Sequence, residues 1–154
     1  MKYIYSIFFI ALLIAGCTEY EDYTPYRTAV NQVSGEFIGA EDCGGSVYGP
    51  YSVFIFNTAE NSEEVAWLEN IYDSHYQVKV SVDGKSFSAT NAQVYDSDPG
   101  ADSVAILPVD DLFADVTGNV INEDSINFTF VLKEADGTEV DNCSFAAKRL
   151  TGFE

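Results

Sequence analysis

Basic side chains are scarce in this chain: seven Lys and Arg stand against 25 Asp and Glu, a formal charge of −18. Such a field repels phosphate backbones and anionic head groups, which excludes nucleic acid as a partner and favours solubility. Histidine occurs once, at His75, so any Ser–His pairing has a single imidazole to draw on and a zinc site has too few nitrogen ligands. Cysteine occurs three times. The apolar run at residues 4–14 is too short to span a bilayer, which takes ~20 residues. A sustained helical period is also missing, and no internal repeat is present.

What the chain does have begins at its start. Lys2 precedes the apolar run, which ends in Leu13-Ile14-Ala15-Gly16-Cys17; charge, short apolar segment and small residues make an export signal. The last of these residues are similar to the lipobox of bacterial lipoproteins, and that resemblance makes Cys17 the lipidated first residue of the mature chain. Residues 1–16 are then a signal peptide, 17–28 a tether broken by Pro25, and 29–154 one domain. Glu19, Glu21 and Asp22 are similar to the surface-export signal of Bacteroidota lipoproteins. The expectation is an exported protein held to a membrane through its lipid, at the outer membrane or cell surface, with a periplasm-facing anchor as the alternative.

With Cys17 lipidated, Cys43 and Cys143 remain, and an oxidising compartment favours a disulfide closing a loop of about 100 residues. The alternative is two buried free thiols.

Beyond the tether the pattern is of short strands, at 34–40, 51–57, 65–69, 76–82, 85–91, 103–107, 125–133 and 140–150, each β-branched or aromatic and bounded by Gly, Pro, Asn or Asp. Tyr76, Val78, Val80 and Val82 alternate with Gln77, Lys79 and Ser81, one dry face against one wet face. Asp83-Gly84 and Asp136-Gly137 read as hairpin turns, with positive φ wanted at both central positions of the first. Residues 29–33 and 110–114 are each expected to make one short helical turn. Eight strands in series form a sandwich or an up-and-down barrel. Pairing Cys43 with Cys143 across the first and last strands sets Phe37 opposite Arg149, so closure into an all-β, eight-stranded antiparallel barrel is the simplest account.

Ser-Gly-Glu-Phe (34–37), with Arg149 near the end of the last strand, resembles the first and last strands of calycin barrels, the group that includes lipocalins. Asn57-Thr58-Ala59, Trp67-Leu68, the run from Tyr76 to Val82, and Lys148-Arg149-Leu150-Thr151-Gly152-Phe153 together resemble the Bacteroidota family of lipid-binding putative hydrolases. The resemblance implies a calycin-like barrel closed by Arg149 and a lipid-like ligand, and its label adds hydrolysis. This chain departs from the family in carrying Phe37 in place of a common tryptophan and Ala146-Ala147 in place of a common Gly-His.

The residues offer little for hydrolysis, and no catalytic group is assigned. His75 lies beside Asp73 and Ser74, but neighbours on an extended chain point apart, and a solvent-facing histidine at a strand end is the favoured reading. Gly44-Gly45-Ser46-Val47-Tyr48 lacks the last glycine of a nucleophile elbow and reads as a flexible loop. Residues 96–102 resemble the first half of a calcium loop, yet position 107 is leucine where a bidentate acid belongs, so no metal and no cofactor is expected.

Aromatics carry more information. Phe37, Trp67, Tyr76, Val78, Val80, Phe87, Phe128, Phe130 and Phe145 fall on or near dry faces, where they either fill the barrel or line a pocket for an apolar guest. The strand at 51–57 is apolar on both faces, so its outer face is a candidate contact for a partner whose identity the sequence leaves open. The reading adopted is a lipid-anchored, non-enzymatic protein binding a small hydrophobic or amphipathic ligand. An interaction module with a filled barrel and a hydrolase stand as alternatives.

Overall fold

The computed structural model describes residues 29–57, 64–97 and 106–150. The signal peptide and the whole tether proposed from sequence lie outside these residues, as does most of the strand expected at 103–107.

A short helix α1 (Ala29–Val33) leads into eight strands: β1 (Gly35–Cys43), β2 (Ser46–Asn57), β3 (Val65–Ile71), β4 (Tyr76–Asp83), β5 (Ser86–Asp96), β6 (Leu107–Asn122), β7 (Ser125–Glu134) and β8 (Glu139–Arg149). Each pairs antiparallel with the next, and β8 pairs with β1, giving a closed up-and-down barrel. Two-residue alternation decides which side chains enter it. Val78, Val80 and Val82 of β4 are buried, as are Ile126, Phe128, Phe130 and Leu132 of β7, while the residues between them face outward with lesser or no burial.

The seam is the β1–β8 ladder, which sets Phe37 opposite Arg149 and Cys43 opposite Cys143. The two sulfurs are bonded, with Cα atoms 4.2 Å apart. Arg149 locks the other end of the seam. Its guanidinium lies 4.6 Å from the centre of the Phe37 ring, its Nε donates to the Glu123 carbonyl at 2.8 Å, and an Nη donates to the Ser34 carbonyl.

Helix α1 packs against β2, β4 and β6, three strands spread around the barrel, so it lies across the end where Arg149 sits. Val30 and Val33 are fully buried there. This lower end is closed. The upper end carries the β1–β2, β3–β4 and β7–β8 turns and the disulfide.

Several local expectations change. Residues 110–114 are not helical: they belong to β6, whose inward positions are Ala114, Val116, Gly118 and Val120. Those small residues hide the strand in the sequence because the bulk they lack comes from elsewhere. A Cβ on Gly118 would stand 2.4 Å from the Phe87 ring and 2.5 Å from the Phe128 Cβ, so the two phenylalanines occupy its place. The segment read as a flexible loop, 44–48, is instead a tight Gly44–Gly45 turn, with φ of 63° and 94°, followed by the start of β2. The β4–β5 hairpin pairs Asp83 with Ser86 and turns on Gly84 and Lys85, with positive φ at Gly84 and not at Asp83.

Candidate functional site

The lower half of the barrel is filled by side chains. Phe37, Phe87 and Phe128 are buried inside it, with Phe130 and Phe145 above them. The Phe128 ring centre lies 6.0 Å from Phe87, 6.1 Å from Phe130 and 5.0 Å from Phe145, the spacing of rings packed tilted against one another. Val78 and Val80 are buried beside them, and Tyr76 packs against the same core while keeping part of its surface exposed. Of the residues expected on dry faces, Trp67 departs. Its neighbours Ala66 and Leu68 take the inward positions, so alternation turns Trp67 to the outer wall. There it meets Tyr95 edge-on at 5.4 Å and lies 5.3 Å from the Lys79 ammonium.

Polar groups converge inside the upper end. On β1, Phe37, Gly39, Glu41 and Cys43 share the inward face, which places a carboxyl within the apolar lining; Glu41 is only 2 % exposed. The Tyr51 hydroxyl donates to Glu41 Oε2 at 2.5 Å, and the Tyr51 ring packs on Phe145 at 5.1 Å. Tyr72, from the β3–β4 turn, reaches across to β8, where its hydroxyl donates to Asp141 Oδ2 at 2.8 Å and its ring stands edge-on to Phe130. Tyr48 lies opposite Glu41 in the β1–β2 register and is 51 % exposed.

Burial sets the electrostatics of this cluster. Loss of water pushes the Glu41 carboxyl above its ordinary value against the opposing hydrogen bond from Tyr51, and Asp141 and Asp73 add repulsion. Burial, then the bond to Glu41, also pushes Tyr51 well above the usual phenol range. The Tyr72 phenol is pushed up to about 12, chiefly by its bond to Asp141. No cation balances these acids from within: among the described residues Lys133 pairs with Asp115 on the outer wall, Lys79 lies by Trp67, and Lys85, Lys148 and Arg149 belong to the lower end.

The turn that delivers Tyr72 is strained. Asn70, Tyr72, Asp73 and His75 all have positive φ, between 47° and 63°, where side chains other than glycine are disfavoured. His75 is exposed and bonds through its main chain, its N–H to Asn70 Oδ1 and its carbonyl from Ser97. Glu41 lies close to the sulfurs of Cys43 and Cys143, but their mutual bond leaves no thiolate for a metal.

None of Glu41, Tyr51, Tyr72 and Asp141 was singled out from sequence. The signal for Glu41 was present: once Cys43 and Phe37 face inward, alternation carries position 41 in with them. Tyr72 lies in a turn, where alternation has no say.

A concavity of about 480 Å³ lies on the outer wall across β6, β7, β8 and β1. It is bordered by the outward Thr117, Asn119, Asn127, Thr129, Ser144 and Asp42, with Val47, Phe128 and Phe145 also in its lining. The outer wall of β2 exposes Phe54 and Phe56, at 37 % and 36 %.

The family described as "Lipid-binding putative hydrolase" matches residues 22–154, and the chain belongs to that family. No curated protein sequence matches it significantly. Among solved structures it is similar to EF1p2_mFAP2b bound to DFHBI, at 10 % identity and a TM-score of 0.49, over 80 % of this chain and 98 % of that one. It is also similar to a protein of unknown function of the DUF3598 family from Nostoc punctiforme, at 11 % identity and a TM-score of 0.42, over 79 % of this chain and 49 % of that one.

Proposed function

We propose that this chain is an exported, lipid-anchored, calycin-like protein whose barrel receives a small hydrophobic or amphipathic ligand through its upper end. The observation that carries the reading is the Glu41–Tyr51 pair, a buried hydrogen-bonded polar couple beside the apolar side chains of the barrel interior. A pocket that fixes an amphipathic guest combines apolar walls with a few converging polar groups. The lower end is blocked by α1 and Arg149, which leaves the upper end as the way in. Rings packed below Phe130 limit depth, so the guest's apolar part rests against Phe130, Leu132 and Phe145 and its polar part meets Glu41 and Tyr51. Entry requires Tyr72 to release Asp141. The strained turn that carries Tyr72 is suited to that movement, since its native backbone is not deeply preferred. Membership of a family described as lipid-binding agrees with a guest of this kind.

Native mass spectrometry of gently purified protein, with binding of the neutral dye Nile red, tests the barrel. A retained small molecule, or saturable dye binding lost when Phe130→Trp fills the upper interior, is the expected result. Protein that retains nothing and binds no dye overturns the reading in favour of a filled barrel. The anchor is tested separately, by palmitate labelling and membrane fractionation of wild type and Cys17→Ala. Label and membrane association lost only in the variant support lipidation, and an unlabelled wild type contradicts it.

A further inference from the structure

Independently of the barrel interior, we infer that the outer wall of β2 to β5 is a second binding site, one that takes a neutral carbohydrate. Alternation turns Phe54 and Phe56 of β2, Trp67 of β3 and Tyr95 of β5 outward, and polar side chains stand between these rings. One cross-strand row runs Phe54, Glu69, Gln77, Tyr95, and the next runs Phe56, Trp67, Lys79. Trp67 and Tyr95 come from strands on either side of β4 and meet edge-on at 5.4 Å, so together they roof the β4 side chains between them. Gln77, directly opposite Tyr95, lies beneath that roof. It is only 4 % exposed although it belongs to the outer wall, and its Oε1 accepts no hydrogen bond among the described residues.

A buried acceptor without a donor costs free energy, and a guest that brings a donor recovers that cost. A hydroxyl passing between the two rings brings it, by donating to Gln77 Oε1. A pyranose also matches the rest of the face: its apolar C–H side lies on electron-rich rings, and its rim of hydroxyls meets Glu69 and Lys79. An apolar protein surface seated here would bury Glu69 and Lys79 and leave Gln77 still without a donor. The opposite charges of Glu69 and Lys79 offset each other, and the chain's charge of −18 opposes an acidic polysaccharide. The ligand class is therefore a neutral oligosaccharide, stacked on Phe56 and Trp67 with one hydroxyl on Gln77.

Trp67 is the sole tryptophan, so its emission reports this face directly. The protein is titrated with three neutral hexasaccharides, cellohexaose, mannohexaose and maltohexaose, and with hexagalacturonate as their acidic counterpart. The expected result is a saturable shift of Trp67 emission by at least one neutral sugar at about 1 mM or below, and none by the galacturonate. Gln77→Leu removes the unpaired acceptor, so it should fold at least as stably as wild type in urea. Isothermal calorimetry should nonetheless show its affinity for that sugar reduced about fivefold, the loss of one hydrogen bond. Phe56→Ser, at an exposed position, should weaken the same sugar without touching Gln77. No shift by any neutral sugar, an equal response to the galacturonate, or undiminished binding by Gln77→Leu and Phe56→Ser overturns the inference. Emission that shifts with protein concentration alone, with a dimer lost in Phe56→Ser, overturns it in favour of a contact between copies. Nile red in the barrel reads a different surface, so failure here leaves barrel binding standing.

Discussion

At the scale of single residues, Glu41 is the centre of the polar cluster. Its ordinary value is 4.5, and in the fold it is raised, so folding favours the protonated acid. That contribution is fully present below the ordinary value and is lost as pH rises through the folded one. Wild type should therefore lose more stability than Glu41→Gln between pH 4 and pH 7 in urea denaturation. Parallel pH profiles for the two proteins would contradict the environment assigned to this carboxyl. Tyr51→Phe probes the same pair from the other side. It removes the donor and leaves a buried acid unsatisfied, at an expected cost of about 1–3 kcal/mol; Glu41→Leu in the Tyr51→Phe background should recover part of that loss. Gly118 offers a purely steric test. Gly118→Val would drive methyl groups into Phe87 and Phe128, with an expected loss of about 1–3 kcal/mol in the same measurement.

Elements show where the sequence was readable and where it was not. The valines of β4 and the phenylalanines of β7 announce their strands because one face is apolar and the other is not. Strand β6 does not announce itself, since Ala114, Val116 and Gly118 yield their space to rings from β5 and β7. Trp67 misleads for the opposite reason. A large aromatic between Ala66 and Leu68 looks like core, yet the small alanine and the leucine take the interior and the indole covers the wall with Tyr95 and Lys79. The β1–β8 seam is the element on which closure depends. Replacing Cys43 and Cys143 together by serine frees a loop of sequence separation 100 and should cost about 2–4 kcal/mol in thermal or urea unfolding. Arg149→Lys keeps the charge but loses the planar fork that serves Phe37, Ser34 and Glu123 at once, so it should destabilise the lower end nearly as much as Arg149→Ala.

For the whole molecule, closure converts a serial run of hairpins into an inside and an outside with different tasks. The lower interior is solid with rings, α1 and Arg149 stop its end, and the polar cluster is confined to the opposite end. That cluster was not legible in sequence because positions 41, 51, 72 and 141 come from two paired strands, a distant turn and the last strand. Only the closed barrel brings them together. The outside holds two other surfaces, the polar concavity by Thr117 and Asn119 and the aromatic wall of Phe54, Phe56 and Trp67, and either would serve an interaction module with a filled barrel.

An NMR titration with decanol, a neutral amphiphile that makes no assumption about the head group, distinguishes inside from outside most directly. Ligand binding in the barrel predicts that the shifts concentrate on Glu41, Tyr51, Tyr72, Phe130 and Phe145. Shifts confined to Thr117, Asn119 and Thr129, or to Phe54, Phe56 and Trp67, would contradict it.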